Sequence, residues 1–332
     1  MSGHEHGTNG SGRAPTALAP PTPPSGPGPG ELGGPGPCQY TSLEAKNDAW
    51  PDQKVWVIEP TGTGSPCRGG RADGDRRPAV FMSPGWSVFE ESKPIHYLNL
   101  IENLVSNGYV VVYANYSGDG EAFLDESDLG VYHQVDAAFA QAVELSDRID
   151  VSDVGIWGHS FGGAMVPWLA QRAVERRWGT QTFWLGIYCP YFPRGVGDAA
   201  APIAVPDHTR ALVVAYDNDV FAQYVDEAGP QIFHRLTIPA DHKRYVVVRS
   251  DPRDLGDDRP ELTTTHFTPS GWPALSHLNY YGTNRNVQAV ADCARAGRPF
   301  DVDLMYMGTW SDGTPATPAL VTDDPRPASA AS

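Results

Sequence analysis

Short apolar, β-branched runs at 54–59, 79–83, 109–115, 154–157, 182–188, 211–215 and 245–249 alternate with stretches of helical periodicity, and nothing else in the chain limits its fold so strongly. Strands separated by crossover helices have to lie parallel in one sheet, because a parallel pair cannot be joined by a tight turn. Between 94 and 106, Ile95, Leu98, Ile101, Leu104 and Val105 fall on one helical face, and Val131, Val135, Ala138, Phe139, Ala142 and Val143 repeat the pattern. A third helix is expected after Ser160 and a last one over about 284–296. The reading is an α/β, doubly wound, mostly parallel sheet in a single domain.

Two flanking segments do not share this pattern. Residues 1–38 contain ten glycines and nine prolines with almost no apolar periodicity, and are read as a disordered leader. Residues 311–332 are read as an irregular C-terminal tail, which leaves 39–310 as the folded domain. His4 and His6 lie in the leader and are read as solvated rather than as metal ligands. The leader shows no basic start followed by an apolar stretch, so no signal peptide is visible; the expected compartment is nonetheless extracellular or the cell envelope.

Charge and cysteine content narrow the function classes. The net charge is −16, which repels phosphate backbones, so no nucleic-acid partner is expected. The most apolar run, 109–113, is far too short to cross a bilayer. None of the cysteines forms a C-x-x-C pair, so no zinc ribbon or thioredoxin-type centre is expected. Cys189 and Cys293 read as buried thiols, whereas Cys38 and Cys67 flank the first strand and are a possible disulfide in an exported protein. The acidic stretch 251–261 reads as a solvated loop rather than a cation site.

The strongest chemical signal is Gly158-His-Ser160-Phe-Gly162-Gly, which places G-x-S-x-G between an apolar strand ending at Trp157 and a helix-compatible run, 164–174. A nucleophile elbow needs this strand–turn–helix setting: the turn is strained, and the glycines let the backbones on either side pass without a Cβ clash. Ser160 would then stand at a helix N-terminus, where amide donors and the helix dipole favour a developing oxyanion.

On these residues the sequence resembles the α/β-hydrolase superfamily over roughly 50–300, and G-H-S-F-G-G resembles the lidless serine esterases related to chlorophyllase, bacterial polyester (cutinase-like) hydrolases and platelet-activating-factor acetylhydrolase. The resemblance implies an oxyanion hole made by the backbone N–H groups of Phe161 and Trp86, with Pro84 where the family usually carries His. It also implies an acid and then a His further along the chain. The segment Ala211-Leu-Val-Val-Ala-Tyr-Asp-Asn-Asp matches the strand and turn that present the acid; Asp219 aligns with it, and Asp217 is the alternative. The family's His follows the last core strand, which leaves His266 and His277. His266 is preferred for its Phe-Thr-Pro sequel, whereas His277 reads as the lead-in to the C-terminal helix.

The expected machinery is therefore Ser160 as nucleophile, His266 as base and Asp219 as its orienting acid, with no metal or organic cofactor. Trp86, Tyr191 and Phe192 are expected to line an apolar pocket. The short connection from Tyr188 to Arg210 leaves no room for a cap domain, so the pocket should be open. The expected activity is cleavage of carboxylic esters through an acyl-enzyme, on a small-molecule or polymeric hydrophobic ester, by a monomer. A serine peptidase or amidase, a cofactor-free haloperoxidase and a catalytically silent binding scaffold are the alternatives on the same fold.

Overall fold

The computed structural model describes residues 21–61, 76–86, 92–118, 125, 129–253, 262–271 and 274–326. Nine strands form one sheet: β1 (Gln39–Lys46), β2 (Lys54–Thr61), β3 (Arg77–Ser83), β4 (Val110–Ala114), β5 (Ile149–His159), β6 (Thr182–Tyr188), β7 (Arg210–Tyr216), β8 (Lys243–Val248) and β9 (Leu320–Thr322). Their order across the sheet is β1-β2-β4-β3-β5-β6-β7-β8-β9. The six strands from β4 to β8 run parallel, and the antiparallel partners are confined to the margins, β1 and β2 on one side and β9 on the other. Every residue of β3, β4, β6 and β7 is buried, as expected of strands covered on both faces.

Helices cover the two faces: α1 (Leu98–Ser106), α2 (Gly130–Leu145), α3 (Phe161–Glu175), α4 (Ala222–Arg235) and α5 (Asn286–Ala296). The period of two along each strand separates the layers. Phe81 of β3 points to Phe139 of α2, while Trp157, beside Phe81's register partner Ile156, points the other way to Tyr97 at the start of α1. On the α2 face, Arg176 just beyond α3 makes a two-pronged ion pair with Asp136 of α2. On the other face, Gln288 of α5 donates to Asn103 of α1 at 2.9 Å. The resulting doubly wound sheet has the architecture expected from the alternation of apolar runs.

Both boundary assignments need correction. Residues 21–38, expected to be part of a disordered leader, pack across α1 and α5. Asn103 Nδ2 donates to the carbonyls of Gly33 and Gly34 at 2.9 and 3.0 Å, Gly33 N donates to Gln288 Oε1 at 2.8 Å, and Cys38 N donates to Ser106 O at 3.0 Å. The segment has no apolar periodicity because helix side chains satisfy its backbone, and its glycines allow the close approach: a Cβ on Gly36 would lie 2.1 Å from Ser106 O. The C-terminal tail likewise supplies β9, paired antiparallel to β8. Strand β1 was not expected either, because an edge strand exposed along nearly its whole length carries no apolar alternation. His4 and His6 lie outside the described residues. Among those described, no helix is long and apolar enough to cross a membrane.

The packed 21–38 segment gives a direct prediction. Asn103→Ala takes the side-chain donor from the buried Gly33 carbonyl, while Gly34 O keeps Asn107 Nδ2 at 3.0 Å, and should cost about 1–3 kcal/mol in denaturant unfolding. It should also bring forward protease cleavage within 21–37, and an unchanged cleavage pattern would refute the packing described.

Candidate active site

The carboxyl ends of β3, β5, β7 and β8 all open on one edge of the sheet, because these strands are parallel. This is where doubly wound folds place ligands. Strand β5 ends at His159, and Ser160 takes φ 57° and ψ −123° before α3 begins at Phe161. This sparsely populated backbone is held from both sides. Ser160 N donates to Tyr188 O at 2.8 Å, and Ser160 O accepts from Ala164 N at 3.0 Å and Tyr191 N at 3.2 Å. The flanking glycines are needed for contact: a Cβ on Gly158 would lie 2.2 Å from Gly162 O, and one on Gly162 would lie 2.2 Å from Ser83 O and 2.3 Å from Pro84 O.

Ser160, His266 and Asp219 come together in one hydrogen-bonded line. His266 Nε2 is 2.8 Å from Ser160 Oγ, and His266 Nδ1 is 2.8 Å from Asp219 Oδ2. A carboxylate can only accept, so Nδ1 carries the proton and Nε2 is free to accept from the hydroxyl. The pair is shielded from water, with His266 4% and Asp219 6% exposed. Asp219 is fixed in turn by Phe221 N, which donates to its other oxygen at 2.7 Å.

Asp217, the alternative acid, does something else. It accepts from Ser250 N, Ser250 Oγ and Thr264 Oγ1 at 3.0, 2.8 and 2.6 Å, which pins both ends of the loop carrying His266 to the end of β7. His277, the alternative base, is buried at the start of the C-terminal helical segment beside Trp310, and among the described residues neither of its ring nitrogens has a hydrogen-bond partner. Asp251, read as part of a solvated acidic loop, is also buried: it accepts from Trp310 Nε1 at 3.0 Å and Thr317 N at 3.1 Å. The rest of that acidic stretch, from 254 to 261, lies outside the described residues.

The Pro84-Gly85-Trp86 turn follows β3 and touches the elbow, since a Cβ on Gly85 would lie 3.2 Å from Ser160 Cβ. Phe161 opens α3, so its amide belongs to the first helical turn, next to the Ser160 side chain. Trp86 is 42% exposed, whereas Tyr191 and Phe192 are half-buried, the Tyr191 ring tilted against Phe161 at 6.3 Å between centroids and edge-on to Phe192 at 5.7 Å. Two aromatic residues that sequence reasoning missed complete the rim: Phe221 and Phe267 have ring centroids 4.7 and 5.5 Å from that of His266. Phe267 directly follows His266 and Phe221 lies two residues after Asp219, so nearness in sequence to these two residues was the available signal. The connection from β6 to β7 forms no helix, and nothing in it builds a cap.

His159 and Cys189 also lie against His266. The potential metal-ligating atoms of these three residues are within 4.8 Å of one another, but each is engaged in a hydrogen bond. Burial pushes the Cys189 thiol well above its usual range; neighbouring Asp219, to which it donates, pushes the same way. A thiol held protonated is a poor metal ligand. Burial, then the proximity of His266, lowers the His159 pKa well below the usual imidazole value. Cys189 and Cys293 are buried free thiols and Cys38 is disulfide-bonded. Cys67, its expected partner, lies outside the described residues.

The sequence model of the prolyl oligopeptidase family matches residues 96–179, from the lead-in to α1 through the elbow and α3. No curated protein sequence matches the chain. A fungal esterase structure from Rhizomucor miehei aligns with 15% identity and a TM-score of 0.51, covering 79% of this chain and 85% of its own. Esterase B from Lactobacillus rhamnosis aligns with 17% identity and a TM-score of 0.49, over 79% of this chain and 87% of its own. The chain has the α/β-hydrolase fold, and its elbow and hydrogen-bonded Ser–His–Asp line support a serine hydrolase.

His277, the histidine left outside the catalytic line, bears on stability instead. Burial lowers the pKa of His277 to about 4, from an ordinary value of 6.5. A depressed histidine contributes stability that is complete above the unfolded value and is lost as pH falls from 6.5 towards 4, because the unfolded state takes the proton first. The loss is about 3 kcal/mol at most. His277→Leu should flatten this part of the stability–pH curve measured by urea unfolding, and an unchanged slope would show that His277 is not the group responsible.

Proposed function

We propose that the protein is a serine carboxylic-ester hydrolase. The observation that carries the reading is the line from Ser160 Oγ through His266 to Asp219, with both contacts at 2.8 Å. His266 takes the Ser160 proton as the hydroxyl oxygen attacks the ester carbonyl, and the Phe161 and Trp86 amides receive the negative charge on the carbonyl oxygen. The tetrahedral adduct expels the alcohol, which takes the proton from His266. Water then attacks the acyl-enzyme by the same route in reverse, releasing the acid and restoring Ser160. Asp219 holds the imidazole in the tautomer this requires.

Ester rather than peptide substrates are supported by the exposed, aromatic character of the rim, which offers apolar faces to an acyl or aryl group and needs no polypeptide register. The helix-free connection from β6 to β7 and the elbow sequence support a lidless esterase, and the rim suits hydrophobic or polymeric esters. The disulfide at Cys38 supports an oxidising, extracellular or cell-envelope location.

Ser160→Ala should fold normally, lose on the order of a thousandfold or more in turnover of a p-nitrophenyl ester, and no longer react with a fluorophosphonate probe. His266→Ala should lose about as much, with the double variant scarcely worse, because the residues act as a unit. Wild-type turnover in Ser160→Ala would end the serine-hydrolase reading, and faster cleavage of peptidyl anilides than of matched esters would move it to a peptidase. Prolonged treatment with EDTA should leave the rate unchanged.

A further inference from the structure

His159 is buried, yet both of its ring nitrogens are engaged. Nε2 is 2.7 Å from the backbone carbonyl of His266, and Nδ1 is 2.8 Å from Tyr97 Oη, which is itself 2.9 Å from Gly85 N. The donors can be assigned without ambiguity. A carbonyl only accepts, so His159 Nε2 carries the proton. A neutral imidazole then has a bare Nδ1, so Tyr97 must donate to it and can accept from Gly85 N–H. The result is a one-way chain: Gly85 N–H to Tyr97 Oη–H to His159, and His159 Nε2–H to O=C of His266. It links the turn after β3 to the loop after β8 through His159, the residue that precedes the nucleophile.

We propose that His159, with Tyr97, is a positioning residue for catalysis: the chain fixes the His266 backbone and the Gly85–Trp86 turn relative to Ser160. This rests on the serine-hydrolase reading of the site. Asp219 constrains only the ring of His266, and the ring swings with its backbone unless the carbonyl is also held. The other end of the chain holds Gly85, immediately before the amide assigned to the oxyanion. There is little room for an alternative, since a Cβ on Gly85 would lie 3.0 Å from His159 Nδ1 and 3.3 Å from Tyr97 Oη. Tyr97 is clamped by its ring, edge-on to Trp157 at 5.4 Å. Neutrality matters as well, because the His159 ring centroid is 4.9 Å from that of His266. A charge there would oppose the imidazolium that His266 becomes during turnover.

The experiment is a double-variant cycle on a p-nitrophenyl ester, using Tyr97→Phe, His159→Leu and the pair. Folding is checked by near-ultraviolet circular dichroism, and fluorophosphonate labelling rates are measured alongside. Tyr97→Phe removes one oxygen and should lower kcat about tenfold; His159→Leu should lower it about a hundredfold, with KM within about twofold for both. The pair should lose no more than His159→Leu alone, because either change breaks the same chain. His159→Gln, whose amide can still donate to the His266 carbonyl, should recover at least about tenfold over His159→Leu. Labelling rates should fall in step with kcat. Folded single variants with wild-type kcat, losses that simply multiply in the pair, or a His159→Gln variant no faster than His159→Leu would each overturn the proposal while wild-type labelling at Ser160 left the esterase reading standing. A wild-type protein that neither labels nor hydrolyses the ester would sink that reading and this proposal with it.

Discussion

The backbone of Ser160 is held at a conformation that side-chain-bearing residues rarely adopt, and the geometry of the site follows from it. A residue kept there costs about 1–3 kcal/mol, and persists only where its surroundings over-determine it. Here they do so through three backbone hydrogen bonds to Ser160 and through Gly158 and Gly162, which let β5, α3 and the end of β3 meet at van der Waals contact. One turn thereby aims the hydroxyl out of the sheet and starts a helix beside it. The nucleophile and the amides suited to an oxyanion are delivered by a single structural decision.

The imidazole is a harder problem, because it comes from a loop rather than from the end of a strand. A loop of that length has many conformations, and ordering it has an entropic cost that local contacts must offset. Its stem is tied to β7 by Asp217, through Ser250 and Thr264. The His266 ring is tied by Asp219 and its carbonyl by His159. Two aspartates two residues apart thus divide the work, the more exposed one holding the loop and the buried one holding the ring. Cys189 gives the buried carboxylate a further donor, which suits a group with so little access to water.

The parallel strands were legible because strands buried on both faces must read as continuous apolar runs; 182–188 coincides with β6 to the residue. The elbow was legible because its glycines answer a steric demand that no other residue meets. What escaped was structure held by backbone rather than by pattern. The 21–38 segment is fastened by Asn103, Asn107 and Gln288, polar residues whose partners are glycine carbonyls and amides far away in sequence. Choosing between Asp217 and Asp219 required side-chain direction, and choosing between His266 and His277 required knowing which loop returns to the sheet edge. Tyr97 and His159 are 62 positions apart and only His159 belongs to a motif, so their pairing could be seen only in three dimensions.

The site therefore has two parts with different tolerances. Behind Ser160 lies a closed set of directional hydrogen bonds in which each donor has one acceptor, and a displaced atom there costs rate steeply. In front lies a rim of exposed aromatic faces, Trp86, Phe221 and Phe267, that are 42, 43 and 39% exposed. Such faces bind by contact area and place few demands on direction. For an ester hydrolase with this division, one methylene more or less in the acyl group changes selectivity by only about 1–3 kcal/mol. Selectivity would then come from how much apolar surface a substrate lays on the rim, while the reacting carbonyl is positioned by the rigid frame behind it.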